Sequence, residues 1–204
     1  MPLANVSRPM GFIPLVGGGR TNYITRVRPV PTSRTVNNGG NSSTDMAVGD
    51  AYGIDASGNA FRAGPGDYVR GIILSFVLQA SGLVMGGNGP VSLDYVTGTL
   101  ATAGLLIGIE DPSVDFSVQF DTFNASDVGK RFNLVDAAPD STWRQSRQKV
   151  SNAAPGVQFQ AIDIVGGPGT APGGSGSNPA MGSPNDAYGA NAQGMVRLLQ
   201  TYDN

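Results

Sequence analysis

The chain carries its strongest apolar strand pattern at residues 68–78, which read YVRGIILSFVL. β-Branched and aromatic residues dominate this stretch, and the turn sequence Gly-Pro-Gly-Asp at 64–67 precedes it. The apolar run continues to Met85 but is interrupted by polar residues and glycines, so it falls short of the roughly 20 residues that cross a bilayer. We therefore predict a buried strand, bent at Gly71.

Outward from this strand, short apolar runs alternate with turn sequences. Residues 51–62 predict a β-hairpin around a polar turn at 55–59, and the alternation in residues 114–120 places Val114, Phe116, Val118 and Phe120 on one sheet face. Further strands are predicted at 91–96, 103–109, 157–165 and 195–200. With 30 glycines, 14 prolines, one Glu and two Lys, the composition suits turns and strands better than helices. The sequence predicts an all-β protein with a β-barrel or sandwich body.

Residues 1–44 differ from the rest of the chain. They contain five arginines and no acidic residue, whereas residues 45–204 hold the other eight basic residues and all fifteen acidic ones. Their apolar patches are too brief to form a core. We predict an extended N-terminal arm at 1–44 and a body at 45–204, with 45–85 a candidate hairpin subdomain. The arm is either a solvated basic tail, a segment lying on an acidic surface, or a nucleic-acid contact, although no dense basic cluster favours the last.

Residue types that dominate enzyme chemistry are missing. The chain has no Cys and no His, which excludes thiolate sites, cysteine nucleophiles and a histidine base. Ser146 and Lys149 match the S-x-x-K spacing of serine acylases, but the companion S-D-N and K-T-G elements are absent. A match by chance is the better interpretation.

Two acidic segments have the residue types of a chemical site. Glu110, Asp111 and Asp115 could supply a carboxylate pair for glycoside hydrolysis, but carboxylates beside a proline more often form turns. Residues 55–59, DASGN, lack the terminal acidic ligand of a calcium loop and predict a hairpin turn. The sequence thus predicts no enzyme activity, no catalytic residue, no cofactor site and no metal site.

Trp143 is the only tryptophan and lies in a polar stretch, DSTWR at 140–144. It is either a core residue or an interface anchor. A glycan-binding surface protein would present several aromatic residues in loops, whereas Tyr and Phe here fall mainly within predicted strands.

The order of several short motifs resembles that of the capsid decoration, or cement, proteins of tailed bacteriophages. The motifs are Gly49-Asp50, GDYVRGI at 66–72, Phe116–Phe120, Asp127-Val128-Gly129, Val157–Val165, Asn185-Asp186 and Met195–Leu198. The resemblance spans residues 46–200. It implies a β-barrel-like body, outside an icosahedral head, without catalytic residues.

The resemblance also implies partners and a location. We expect a structural virion protein on the outer capsid surface that binds the major capsid protein and neighbouring copies of itself, as a homo-oligomer with a trimer favoured. No membrane contact and no direct nucleic-acid contact are expected. The alternative is a phage tail or surface adhesin that recognises glycans. The residues expected to contact the partner are Arg8, Phe12, Ile13, Arg20, Tyr23, Ile24, Arg26, Arg28 and Arg34.

Overall fold

The structure, a computed structural model, is all-β. It describes residues 10–15, 23–31, 44–78, 91–97, 104–135, 137–151, 156–164 and 189–199. Within these ranges the chain forms short strands and one 3-10 turn at Ala125–Asp127, and no α-helix. The predicted fold class is therefore confirmed. No helix in the described ranges is long and apolar enough to cross a membrane.

The strands are short. They are β1 (Ile13–Pro14), β2 (Thr25–Val30), β3 (Met46–Ala47), β4 (Ala51–Ile54), β5 (Ala60–Arg62), β6 (Gly71–Leu78), β7 (Val91–Leu93), β8 (Tyr95–Val96), β9 (Gly104–Ile109), β10 (Asp115–Gln119), β11 (Thr122–Phe123), β12 (Arg131–Val135), β13 (Lys149–Ser151), β14 (Phe159–Ile164), β15 (Gly189–Ala190) and β16 (Gln193–Leu198).

Two antiparallel sheets organise these strands. The first has the order β1-β10-β16-β14-β12-β13, and the second has the order β2-β9-β6-β4-β5, with β7 paired to the far end of β6. Two small strand pairs, β11–β15 and β3–β8, lie outside these two sheets. The hairpin of β4 and β5 confirms the turn predicted at 55–59, where Asp55 Oδ1 accepts the backbone N–H groups of Ser57 and Asn59.

One apolar core lies between the two sheets and joins them. Phe116, Val118 and Phe120 are fully buried in it, which confirms the face predicted from their alternation. The second sheet contributes Ile72 and Ile109 to the same core. Facing sheets with a shared core make a sandwich-like body. The first sheet is curved, so that β13 at its edge approaches the end of β10. Phe120, just after β10, forms a parallel bridge to Val150 of β13.

A second core lies on the other side of the second sheet, so β6 is buried on both faces. Ile73 and Phe76 belong to this second core, whereas the neighbouring Ile72 faces the first. The strand is irregular between Ile73 and Ser75. Gly71 leaves room for the Ile109 carbonyl oxygen and the Tyr52 ring, both of which a Cβ atom would overlap.

The described parts of residues 1–44 belong to the body. β1 pairs with β10, and β2 pairs with β9 along its whole length. In these ranges the chain supplies its own pairing partners, in place of the expected contacts with another chain, and the other residues of the predicted arm at 1–44 lie outside the described ranges. The segment is too poor in apolar residues to build a core, but as two edge strands it needs none of its own. Within the candidate hairpin subdomain at 45–85, β6 pairs with β9 and Ile72 lies in the shared core, so its described residues pack with the rest of the body.

Candidate functional site

Phe12 is a core residue of its own chain. Its side chain is 2% exposed, and its ring stacks on Phe159 with centroids 4.7 Å apart. The Phe12 N–H donates to the Gly49 carbonyl at 2.8 Å. Gly11, at φ 71°, brings the backbone against Ser146, where a side chain would overlap the serine. The expectation that Phe12 anchors on a partner is therefore replaced by a structural role.

The other predicted contact residues are divided between surface and interior. Ile13 and Ile24 are exposed, as is Arg26, and these three remain available for a partner. Tyr23 is half-buried and packs against the shared core. Arg8, Arg20 and Arg34 lie outside the described residues, as does the Asn185-Asp186 motif. The partner contacts of this segment stay a prediction.

Arg28 has an intramolecular partner that the sequence did not reveal. Its guanidinium binds Glu110 through two hydrogen bonds of 2.6 Å each, and Arg70 approaches the same carboxylate at 3.3 Å. Tyr52 adds a hydrogen bond from its hydroxyl at 2.9 Å. The only Glu of the chain thus fastens the edge strand β2 to the body.

The electrostatics of this cluster keep Glu110 ionised. Burial raises the pKa of Glu110, but hydrogen bonds from Arg28 and Tyr52 and the two guanidinium charges outweigh burial, so the pKa lies below its ordinary value. Burial and the adjacent carboxylate raise the pKa of Tyr52, which keeps its hydroxyl a donor. A general acid needs a raised carboxyl pKa near neutrality, and Glu110 has the opposite shift.

The neighbouring carboxylates are also engaged in holding the fold. Asp111 accepts hydrogen bonds from the backbone N–H groups of Ile24 and Ser113. Asp115 forms a two-bond ion pair with Arg197 of β16, at 2.9 and 3.1 Å. Each acid of the candidate hydrolytic group therefore has a structural partner. In the described ranges, no cluster of three or more His, Cys, Asp or Glu residues could hold a metal ion.

The S-x-x-K pair does not form a nucleophile and its base. Ser146 is fully buried, and its hydroxyl donates to Asp50 Oδ1 at 2.5 Å. The Lys149 ammonium pairs with Asp121 instead. A serine nucleophile needs a base that accepts its proton and a path for substrate. The structure gives Ser146 the role of a buried hydrogen-bond donor.

Two buried glutamines connect the sheets where the sequence offered no signal. Gln148 accepts the Ala51 N–H at 2.6 Å and donates to the Ala63 carbonyl at 2.8 Å. Gln158 accepts the Leu134 N–H at 2.7 Å and donates to carbonyls in the 64–67 turn at 2.7 and 2.8 Å. These side chains supply hydrogen-bond partners to backbone groups of the interior, where a group left unpaired is costly. Gln148 lies within a polar stretch and Gln158 within a predicted strand, and neither position carries a motif for an interior amide.

Trp143 presents the largest exposed apolar side chain in the described residues. It is 75% exposed and lies in the loop of residues 141–145, which we call the Trp143 loop. The other described Phe and Tyr side chains are buried or half-buried. Of the two interpretations left open by the sequence, the structure excludes the core residue. Among the described residues, no contact joins Trp143 to the predicted contact residues of β2.

Comparison with known proteins gives no family for this chain. Neither a protein-family model, nor a curated protein, nor a solved structure matches it. The functional interpretation therefore depends on the geometry described above and on the motif order.

Proposed function

We propose that this chain is a structural protein that binds the outer surface of a viral head and stabilises it. The observation that carries the proposal is Trp143, a large apolar side chain held in water while the chain's other described aromatic rings are packed. Tryptophan is enriched among the residues that dominate binding energy at protein interfaces. The resemblance to phage decoration proteins supplies the identity of the partner, the major capsid protein.

The arrangement of polar groups supports a role without chemistry. Among the buried polar groups of the described residues, Glu110, Ser146, Gln148 and Gln158 each form hydrogen bonds that join separate segments of the fold. A protein that reinforces a shell needs a rigid body with a binding surface, and no reactive group. Association with neighbouring copies, as a trimer, belongs to the same proposal.

A glycan-binding adhesin is the second candidate. Trp143 favours it too, because exposed indole rings stack on sugars. It is the single exposed aromatic side chain of the described residues, and glycan sites generally combine several. We therefore favour the protein partner.

The test is co-sedimentation of the purified full chain with empty heads assembled from the major capsid protein of the same virus. We expect saturable pelleting and an increased unfolding temperature of the heads. Absence of pelleting at micromolar concentration would refute the proposal. Deleting residues 1–44 is a poor test, because the deletion removes β1, β2 and Phe12 from the body itself.

A further inference from the structure

The Trp143 loop is fixed by its own hydrogen bonds. Asp140 and Gln145 form an antiparallel bridge across its base, with N–H to O distances of 2.8 and 3.3 Å. Asp140 Oδ1 also accepts the backbone N–H groups of Thr142 and Trp143, each at 2.9 Å. The backbone that carries the indole is thus ordered before any partner arrives. Such preorganisation lowers the entropic cost of binding.

The chain after the loop is tied into the protein interior. Ser146 and Gln148 follow the loop directly, are fully buried, and make the hydrogen bonds to Asp50, Ala51 and Ala63 described above. The end of the loop is therefore held by hydrogen bonds to residues in or beside β4 and β5 of the second sheet, and the chain continues directly into β13 of the first sheet. This is a suitable attachment for a contact that must stabilise a larger assembly.

Arg144 adopts a backbone conformation that is unfavourable for an arginine. Its φ of 55° lies in the left-handed region, which costs a residue with a side chain roughly 1 kcal/mol and which glycine or asparagine adopts more readily. Residues held in such conformations concentrate at functional sites. This strained position directly follows the exposed Trp143 in the sequence.

Two exposed cations follow the indole closely in the sequence. Arg144 and Arg147 are both exposed, and in the part of the chain that the structure describes neither makes an ion pair. The nearest carboxylate in sequence, Asp140, accepts two N–H groups of the loop. Complementary charge on a partner would therefore be negative.

We propose that the Trp143 loop is the contact by which the chain docks on the shell protein, at an apolar pocket bordered by carboxylates. The indole enters the pocket, and Arg144 and Arg147 face the carboxylates. This inference rests on the proposed function and names the surface that performs it. It also moves the expected contact away from the N-terminal segment, most of whose described residues are engaged in the body's sheets.

The experiment compares variants of the full chain in co-sedimentation with empty heads. Trp143→Ala is expected to weaken binding by roughly thirtyfold, the loss typical of a dominant interface residue. The double variant R144E/R147E should bind at least as poorly. Added salt should lower the affinity of the wild type but not that of this variant. Because these side chains are exposed, all variants should keep the wild-type unfolding temperature.

Two matched controls make the comparison specific. Val157→Ala removes an apolar side chain that is 58% exposed and lies outside the Trp143 loop, just before β14. Arg131→Glu reverses an exposed charge on β12. Both should bind as the wild type does. As a direct measurement, the single tryptophan can be replaced by 5-fluorotryptophan, whose one fluorine resonance should shift or broaden when heads are added.

The outcomes separate the two proposals. If the wild type does not pellet, the proposed function fails and the docking contact with it. If the wild type and W143A pellet equally, only the docking contact is overturned. If W143A fails to bind but R144E/R147E binds normally, the indole contact stands and the proposed carboxylates around the pocket are refuted. If the isolated chain binds oligosaccharides through Trp143 and ignores heads, the adhesin function replaces both proposals.

Discussion

Replacing Phe12 with alanine should destabilise the isolated chain strongly, because the N-terminal segment is part of its own core. The ring is 2% exposed and stacks on Phe159 at 4.7 Å. Truncating a buried phenylalanine costs about 3–5 kcal/mol through lost transfer energy and the cavity left behind. That is a large share of a typical total of about 5–15 kcal/mol. For a chain of this size it corresponds to a decrease of roughly 10 °C in the unfolding temperature.

The assay is urea unfolding followed by far-ultraviolet circular dichroism. We expect a lower midpoint with an unchanged slope, since the surface exposed on unfolding is nearly the same. Ile13→Ala is the matched control, because the adjacent side chain is 40% exposed and should cost about 1 kcal/mol or less. Equal stabilities for F12A and I13A would refute the placement of Phe12 and restore a free arm.

Three further predictions concern the buried polar groups. Glu110→Gln should cost roughly 1–3 kcal/mol, since the arginines remain partly hydrated. Because the folded-state pKa of Glu110 is lowered, its contribution is fully present above its ordinary pKa and is lost as pH falls through the folded value. Acid titrations followed by circular dichroism should therefore show a steeper loss of stability below about pH 4 for the wild type than for E110Q. Gln148→Ala should cost about 2–4 kcal/mol in urea unfolding by leaving two buried backbone groups unpaired, whereas Gln145→Ala, at an exposed site, should be nearly neutral. A fluorophosphonate probe should not label Ser146 in the native chain, and labelling detected by mass spectrometry would contradict its role as a buried donor.

Local patterns predicted the parts of the fold that depend on neighbouring residues. The period-two alternation in β10 assigned Phe116, Val118 and Phe120 to the core face, and the polar turn at 55–59 located a hairpin. Both signals arise because a strand alternates its side chains and a tight turn selects small polar residues.

The candidate site could be predicted only in part. Trp143 was identifiable as an unusual residue, but its exposure depends on how residues 140–145 close into a loop and how Ser146 enters the interior. The sequence did not distinguish a packed indole from an exposed one. Likewise, the positive charge of residues 1–44 was evident, but the pairing of Arg28 with Glu110 was not.

The sequence by itself determined the all-β class, the core faces of individual strands, and the absence of cysteine and histidine chemistry. Only the tertiary structure decided that the N-terminal segment joins the body, that the acids near Glu110 hold strands together, and that Trp143 faces water. The physical reason is the distance along the sequence over which each kind of interaction acts. Alternation and turn preferences act over a few residues, whereas Ile13 pairs with Ser117 and Arg28 with Glu110 across some eighty residues or more, where many pairings satisfy the same local preferences.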